Sequence, residues 1–225
     1  MATSGVTDTA ETVAEVIGDA LGLIHVREAG ETPEAEQTSL ALRKLRRMLR
    51  TWAVDTSGLW LRGNQTSALA ADTAAYTLPA RLLSVDDAFV RDASGYDQPL
   101  RLMDREEYNR LPDKDASGEP FAVWVDRTDT SSIATVYPVP AAVGDTLYIV
   151  GKRAIEDVTA LSETMEVPPE WSECIVYNLA VKLMPDFPGM PQAEKQDVQF
   201  EAERLLQLMM GHDRGHSVKF RVRTR

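Results

Sequence analysis

Two hydrophobic periodicities divide the chain into segments of different kinds. Over residues 9–25 and 34–54, apolar side chains recur every three or four positions, which predicts two amphipathic helices. The apolar stripe of the second helix consists of Leu42, Leu45, Leu49 and Trp52. Its opposite arc carries four arginines, Arg43, Arg46, Arg47 and Arg50. Such a basic face is typical of a solvated surface paired with nearby acids, of a subunit contact or of a phosphate-binding surface.

Between residues 58 and 160 the periodicity changes from three or four to two. Short alternating segments are separated by turns rich in Gly, Asp and Ser. These segments are 59–63, 75–79, 82–92, 98–103, 120–127, 132–140 and 145–155. Within this region Asp104 and Glu107 have the spacing of a capping box, which predicts a short helix after Asp104. The pattern as a whole predicts a small antiparallel β domain between helices.

Helical periodicity returns after residue 160. Residues 171–184 are apolar on nearly every side, apart from a strip formed by Asn178 and Lys182. A helix of this kind is buried all round, and a chain of 225 residues rarely buries a whole helix by itself. We therefore expect part of this helix, including Trp171 and Tyr177, to contact another subunit.

A last helix is predicted over residues 191–210. Its apolar stripe is formed by Val198, Ala202, Leu205 and Met209, and Leu206, Leu208 and Met210 broaden it. We expect Trp52, Trp60, Trp171 and Leu179 to be packing residues.

The C-terminal residues 212–225 are predicted to form an extended basic tail. In its last stretch, apolar Val218, Phe220 and Val222 alternate with basic Lys219, Arg221, Arg223 and Arg225. Residues 211–225 have a charge of +4, whereas the whole chain has −11, so the other 210 residues carry −15. A basic tail on an acidic body is attracted to an acidic surface, either on a neighbouring copy or on a different partner.

Composition excludes several classes of protein. A net charge of −11 argues against a protein dedicated to wrapping DNA. No stretch of 18 apolar residues is present, so we expect no membrane partner. The acidic N-terminal stretch does not resemble a signal peptide, and the single cysteine, Cys174, excludes an intrachain disulfide framework. We therefore expect synthesis in a reducing cytoplasm.

Candidate chemistry is sparse. The sequence contains no dinucleotide-binding, P-loop, zincin or nucleophile-elbow motif. His212 and His216 are four residues apart, but Gly211 and Gly215 beside them disfavour a helical metal site. Acidic pairs such as Asp86–Asp87 and Glu106–Glu107 point in diverging directions, whereas a glycosidase needs two converging carboxyls. We predict no catalytic, cofactor or metal site.

The order of the segments resembles a known family. The segments ALRKLRRMLRTWAVDTSGLWLR, AYTLPARLLSV, REEYNRLPDKDASGEPFAVWVDR, TVYPVP and PPEWSECIVYNLAVKLMPDF are similar to those of the head-to-tail adaptor (connector) proteins of tailed bacteriophages. The similarity covers about residues 36–210. It implies an α+β fold: a ring-forming helical bundle at 1–57 and 161–211, an inserted antiparallel β domain at 58–160, and the tail at 212–225.

The resemblance also implies a function. Such adaptors form a homo-oligomeric ring, usually dodecameric, beneath the portal protein in the virion neck. The ring extends the channel for packaged double-stranded DNA without sequence-specific binding, helps to retain the DNA, and docks a tail, nozzle or tail-tube protein. Their C-terminal segments commonly grip the portal, which makes Val218–Arg223 and Arg225 the expected portal-binding residues. Arg43, Arg46, Arg47 and Arg50 would then pair with acids across a subunit boundary.

Two other classes of function remain open from the sequence. One is a neck or tail enzyme that cleaves peptidoglycan, with two carboxylates in a cleft of the β domain. The other is a β module that binds host-surface sugars, with Trp60 or Trp124 as a stacking platform. Because both tryptophans lie in alternating apolar segments, packing inside the β domain is the simpler interpretation of them.

Overall fold

The computed structural model describes residues 11–28, 30–55 and 59–213. These residues form helices and mostly antiparallel sheets, which confirms the predicted α+β class. The helices are α1 (Val13–Leu23), α2 (Ala35–Asp55), α3 (Arg105–Asn109), α4 (Ser172–Leu183) and α5 (Gln192–Asp213). The strands are β1 (Arg62–Ala68), β2 (Ala75–Thr77), β3 (Leu82–Arg91), β4 (Asp97–Pro99), β5 (Arg101–Met103), β6 (Ser117–Gly118), β7 (Ala122–Arg127), β8 (Ser132–Tyr137), β9 (Val139–Pro140) and β10 (Thr146–Arg153).

The chain divides into two compact units. The helical unit contains the residues up to Leu59 and those from Ile155 onwards, and the β unit runs from Trp60 to Ala154. No helix in the described part of the chain combines the length and the apolar character needed to cross a membrane.

Helix α4 lies at the centre of the helical unit. It packs against α1, α2 and α5, and Cys174, Ile175, Leu179, Ala180 and Leu183 are at most 1% exposed. The same chain thus covers most of α4, but Tyr177 and Asn178 are half-buried and Lys182 is exposed, so the contact of part of this helix with another subunit stays a prediction. Helices α1 and α2 precede the β unit in the chain and α5 follows α4, but all three pack against α4.

The start of α1 is fixed by a capping box. The Thr12 hydroxyl accepts from the Glu15 amide at 3.3 Å, and the Thr12 amide donates to the Glu15 carboxylate at 2.7 Å. These two bonds satisfy amides that the first helical turn leaves without intrahelical partners. The helix buries Val13, Val16 and Ile17 against the rest of the helical unit.

The β unit is built on two four-stranded sheets and one short strand pair. The first sheet has the order β1-β10-β3-β4, the second β2-β8-β7-β5, and the pair is β6-β9. Their inward-facing residues form one core that includes Leu82, Ala88, Val123, Leu147 and Ile149. The predicted capping box at the start of α3 is present, with the Glu107 amide donating to Asp104 at 2.7 Å.

Three strand predictions need correction. Residues 59–61 form a turn of 3₁₀-helix and the strand begins at Arg62, because alternation over so few residues does not separate a strand from one helical turn. Segment 98–103 is two strands that pair in different sheets. At the break, the Leu100 amide donates to Ala88 at 2.8 Å and the Arg101 amide to Phe121 at 2.9 Å. Segment 132–140 is divided at Pro138, which follows a cis peptide bond.

The β domain is also not wholly antiparallel as predicted. Strands β5 and β7 pair in parallel, and so do β6 and β9. Parallel neighbours require a crossover connection instead of a hairpin, and α3 lies in the connection between β5 and β7. The capping-box helix that the sequence predicts therefore lies in this crossover connection.

Candidate subunit interface

Four arginines form the basic face of α2, as the helical spacing predicts. Arg43, Arg47 and Arg50 are exposed, and Arg46 is half-buried. On the opposite side of the helix Ala41, Leu45 and Met48 are at most 1% exposed. The apolar stripe thus fixes the rotation of α2 about its axis and directs the arginines away from the core.

Two of these arginines share a carboxylate of the same chain. The Arg50 Nε donates to the Asp157 Oδ1 at 2.9 Å, its terminal nitrogen contacts the other oxygen, and the Arg46 Nη2 lies 3.5 Å from Asp157. Hydrogen bonding from Arg50, followed by the charges of Arg50 and Arg46, holds the pKa of Asp157 below its usual value, against the opposing effect of partial burial. Asp157 is therefore an anionic anchor for two members of the basic face.

Lys44 lies at the edge of the basic face and holds α2 to the end of α4. Its Nζ donates to the Lys182 carbonyl at 2.6 Å and forms an ion pair with Asp186. A cation at the C-terminus of α4 is also favoured by the helix dipole.

The other two arginines, Arg43 and Arg47, form no ion pair with the described residues. The Arg43 Nη1 donates to the Ser39 hydroxyl at 3.0 Å, one turn earlier in α2. Among the described residues, no carboxylate forms an ion pair with Arg43 or Arg47. Within the predicted basic face, these two exposed cations are the ones best placed to meet an acidic surface.

The other residues predicted at a subunit contact are Trp171, which directly precedes α4, and Tyr177, which lies in the middle of that helix. Trp171 is 3% exposed, and its ring centroid lies 5.7 Å from that of Trp52 at an interplanar angle of 56°. Trp171 and Leu179 are therefore buried packing residues, as predicted. Tyr177 and Trp52 are half-buried. The subunit contact of Trp171 and Tyr177 stays a prediction.

The predicted portal-binding residues, Val218 to Arg223 and Arg225, lie outside the described residues. The same holds for His216 and for the side chain of His212. Among the residues described, no group of His, Cys, Asp or Glu is arranged to hold a metal ion. Cys174 is 1% exposed, and burial raises its pKa to about 12, which suppresses the reactive thiolate.

Three of the carboxylates considered for catalysis form ion pairs with arginines of the same chain. Asp86 accepts from Arg62 at 3.0 Å, Glu107 from Arg101 at 2.8 Å and Glu106 from Arg110 at 3.1 Å.

The two tryptophans considered as sugar platforms are both half-buried in the β unit. Trp124 stacks on Tyr108 with centroids 4.8 Å apart, and the Arg105 guanidinium lies 5.5 Å from its ring. Tyr108 and Arg105 thus already lie against the ring of Trp124 on which a sugar would stack.

Two features of the helical unit were missed by the sequence reasoning. The first is Phe200 on α5, whose side chain is 72% exposed. The second is a pocket of about 420 Å³ between α1 and α2. A helical wheel of α5 places Phe200 opposite the Val198–Ala202–Leu205 stripe, so the exposure of Phe200 could have been predicted from periodicity. The pocket could not, because its lining includes Leu161, which is distant in sequence from α1 and α2.

A helical unit with a basic face on α2, joined in one chain to a β unit, makes this an α+β protein. The chain belongs to the SU10 adaptor protein family, whose model matches residues 10–223. This match confirms the resemblance to the head-to-tail adaptors of tailed bacteriophages.

A solved structure described as "Neck of empty GTA particle computed with C6 symmetry" is similar to the chain at 16% identity. The similarity covers 77% of this chain and 82% of that chain, with a TM-score of 0.27. Among curated proteins, none matches the chain.

Proposed function

We propose that copies of this chain form a ring in the virion neck, beneath the portal protein, that extends the DNA channel, helps to retain the packaged DNA and docks a tail protein. The observation that carries the proposal is the family match over residues 10–223, which includes both compact units and most of the basic tail. The subunit is made in the host cytoplasm and acts as a structural protein, without catalysis. Its ring is dodecameric.

The charge distribution supports a conduit for DNA. Outside residues 211–225 the chain carries −15. Protein cations that neutralise phosphates bind DNA tightly by releasing counterions, which would oppose ejection of the genome. An acidic body avoids this binding, so DNA passes through the ring without sequence-specific contacts.

Contacts between subunits use the basic face of α2 in this proposal. Arg43 and Arg47 are exposed and pair with no acid among the described residues, so each is available to an acid of the next copy. Arg46 and Arg50 belong to the same contact surface, and Asp157 of their own chain orients their guanidinium groups. Half-buried Tyr177 of α4 contributes to the same boundary, and buried Trp171, directly before α4, supports it from inside the subunit by packing against Trp52.

The C-terminal tail makes the contact with the portal. Val218, Phe220 and Val222 alternate with cations, so an extended tail would present apolar side chains on one side and charges on the other. A strand of this kind can add to an exposed sheet edge, where its backbone supplies affinity and its side chains supply specificity. Lys219 and the three arginines at 221, 223 and 225 complement an acidic docking surface.

Sedimentation tests the proposal. The purified chain is measured alone and with the portal protein of the same particle, and a chain ending at residue 211 is measured alongside. We expect the complete chain to form a ring that co-sediments with the portal. The truncated chain should keep its circular dichroism spectrum but lose the portal complex.

Matched full-length variants separate the two features of the tail. One replaces the basic residues at 219, 221, 223 and 225 with Gln, and the other replaces Val218, Phe220 and Val222 with Ser. We expect the first to weaken portal binding more at low salt than at high salt, because charge attraction is screened. Normal portal binding by the truncated chain would contradict the role of the tail, and a chain that stays monomeric with portal present would contradict the ring.

A further inference from the structure

Helix α5 presents an apolar knob to the outside of the helical unit. Phe200 is 72% exposed and Leu208, two turns later, is 54% exposed, whereas Val198, Ala202 and Leu205 on the other side are at most 9% exposed. One exposed apolar residue alone needs no explanation. Phe200 differs from such a residue in the charged side chains that lie beside it.

Two acids flank this knob on the same helix. Asp197 and Glu203 lie three residues before and after Phe200, and both are exposed. With a rise of about 1.5 Å per residue, they stand about 9 Å apart along the helix axis, on either side of the ring. In the described part of the chain neither acid forms an ion pair. Arg204, which follows Glu203 on the same helix, pairs with Glu201 instead. The knob is therefore an aromatic ring between two available carboxylates.

A pocket of complementary character lies elsewhere on the helical unit. It has a volume of about 420 Å³ and lies between α1, the start of α2 and the segment after the β unit. Its lining is mainly apolar and includes Ala14, Ile17, Pro33, Leu42 and Leu161. The Ala14 amide donates to the Leu161 carbonyl at 2.9 Å, which holds one wall to α1. Small-molecule pockets span about 300–1,000 Å³, so one phenyl ring fits easily.

The rim of the pocket carries a cation without a carboxylate partner in the described chain. Ser39 lines the pocket, and the Arg43 guanidinium donates to its hydroxyl at 3.0 Å. Arg47 lies one turn further along α2, about 6 Å away along the axis. The knob thus offers a ring between two acids, and the pocket offers an apolar cavity beside two available arginines.

We propose that Phe200 of one copy inserts into the α1–α2 pocket of the next copy, where Arg43 and Arg47 pair with Asp197 and Glu203. The inference rests on the proposed ring, because the occupant is a second copy of this chain. Knob and pocket are different surfaces, so the contact is head-to-tail, and a repeated head-to-tail contact closes into a ring when its rotation allows. Charge complementarity fixes the direction of the contact, and burial of the Phe200 side chain supplies affinity.

A matched pair of substitutions tests the knob. Phe200→Ser is compared with Phe121→Ser, since Phe121 is also exposed, at 51%, but lies in the β unit. Assembly is measured by sedimentation, with portal protein present if the chain alone is monomeric, and circular dichroism verifies folding. We expect Phe200→Ser to weaken each subunit contact about 10- to 100-fold, from the loss of one buried aromatic side chain. Phe121→Ser should assemble normally.

Charge reversal with rescue tests the pairing itself. Arg43→Glu combined with Arg47→Glu, and separately Asp197→Arg combined with Glu203→Arg, should each weaken assembly. The chain carrying all four changes should recover most of it, because the charges are opposite again. A merely structural role of these exposed residues would give no such rescue.

Two rival occupants have distinct outcomes. The basic tail of a neighbouring copy is one, because Glu34 and Glu36 lie near the same pocket, and residues 1–10 of the same chain are the other. Loss of the ring on truncation at residue 211 or on deletion of residues 1–10, with normal assembly of Phe200→Ser, would overturn the inference. A ring that is indifferent to Phe200 and the reversed charges would also overturn it while leaving the proposed function intact. A native chain that never forms a ring would overturn both.

Discussion

Asp157 orients two of the four arginines of the basic face. It bonds Arg50 and lies near Arg46, and its side chain is 34% exposed, so solvent screens part of the interaction. We predict that Asp157→Asn lowers the free energy of unfolding by about 1 kcal/mol at pH 7, the upper end for a partly exposed ion pair. Urea unfolding followed by circular dichroism measures the difference, and Asp129→Asn, at an exposed position, is the control and should change nothing.

The pH dependence of this difference follows from the pKa of Asp157, which the arginines hold below its ordinary value. A carboxylate whose pKa is lower in the folded state stabilises the protein above its unfolded-state pKa, about 3.9. That stability is lost as the pH falls through the lower, folded-state pKa. The native protein and Asp157→Asn should therefore differ at pH 7 and converge in strong acid. A difference that persists unchanged at pH 2 would contradict the ion pair.

At this scale the sequence predicts the charged face but not its partners. Helical spacing alone places Arg43, Arg46, Arg47 and Arg50 on one arc of α2, and the structure agrees. Asp157 is 107 residues from Arg50 in the chain. No local periodicity connects two residues at that distance, because their approach depends on how whole elements pack.

At the scale of elements, helix periodicity was more informative than strand periodicity. An amphipathic helix shows its pattern over many turns, so α2 and α5 begin and end close to the predicted positions. The pattern of α4 correctly predicted burial, but not whether the cover comes from the same chain. Short alternating segments such as 98–103 carry no information about which sheet each half joins, and therefore the break at Leu100 could not be predicted.

The pairing of β3 with β10 provides a prediction at this scale. The register of these strands shifts between Val150 and Gly151. A Cβ added at Gly151 would collide with the backbone carbonyl of Ser84 in β3, which cannot move as a side chain tip can. We predict that Gly151→Ala lowers the free energy of unfolding by about 2 kcal/mol or more, because the strands must separate locally.

Gly63 is a matched control for this substitution. It pairs with Gly151 across β1 and β10, but a Cβ on Gly63 meets nothing within 4 Å. Gly63→Ala should be neutral or slightly stabilising, since it restricts the unfolded chain without a clash. Thermal unfolding of both variants compares the two positions directly, and equal losses of stability would show that the close approach to Ser84 does not limit the residue at 151.

For the whole molecule, the two compact units differ in the candidate contacts that they carry. The candidate subunit contacts, including the basic face, the α1–α2 pocket and Phe200, all lie in the helical unit. A ring built through that unit leaves the sheets of the β unit free to vary or to bind a further protein. In the proposed ring, the contacts between subunits and the surfaces for other partners would therefore lie in different units.

The β unit should fold by itself. Its first and last strands are neighbours, since β1 pairs with β10 and Arg62 lies opposite Lys152, so the chain enters and leaves the unit at adjacent strands about 4.8 Å apart. We predict that residues 60–154 alone unfold cooperatively, and that a short Gly-Ser linker between residues 59 and 155 preserves the helical spectrum of the remainder. A fragment of residues 69–154, which lacks β1, is the control and should be markedly less stable because β10 loses one of its two partners. If fragment 60–154 were unfolded under conditions in which the complete chain is native, the β unit would depend on the helical unit for its fold, and the boundaries of an inserted domain would have to be drawn elsewhere.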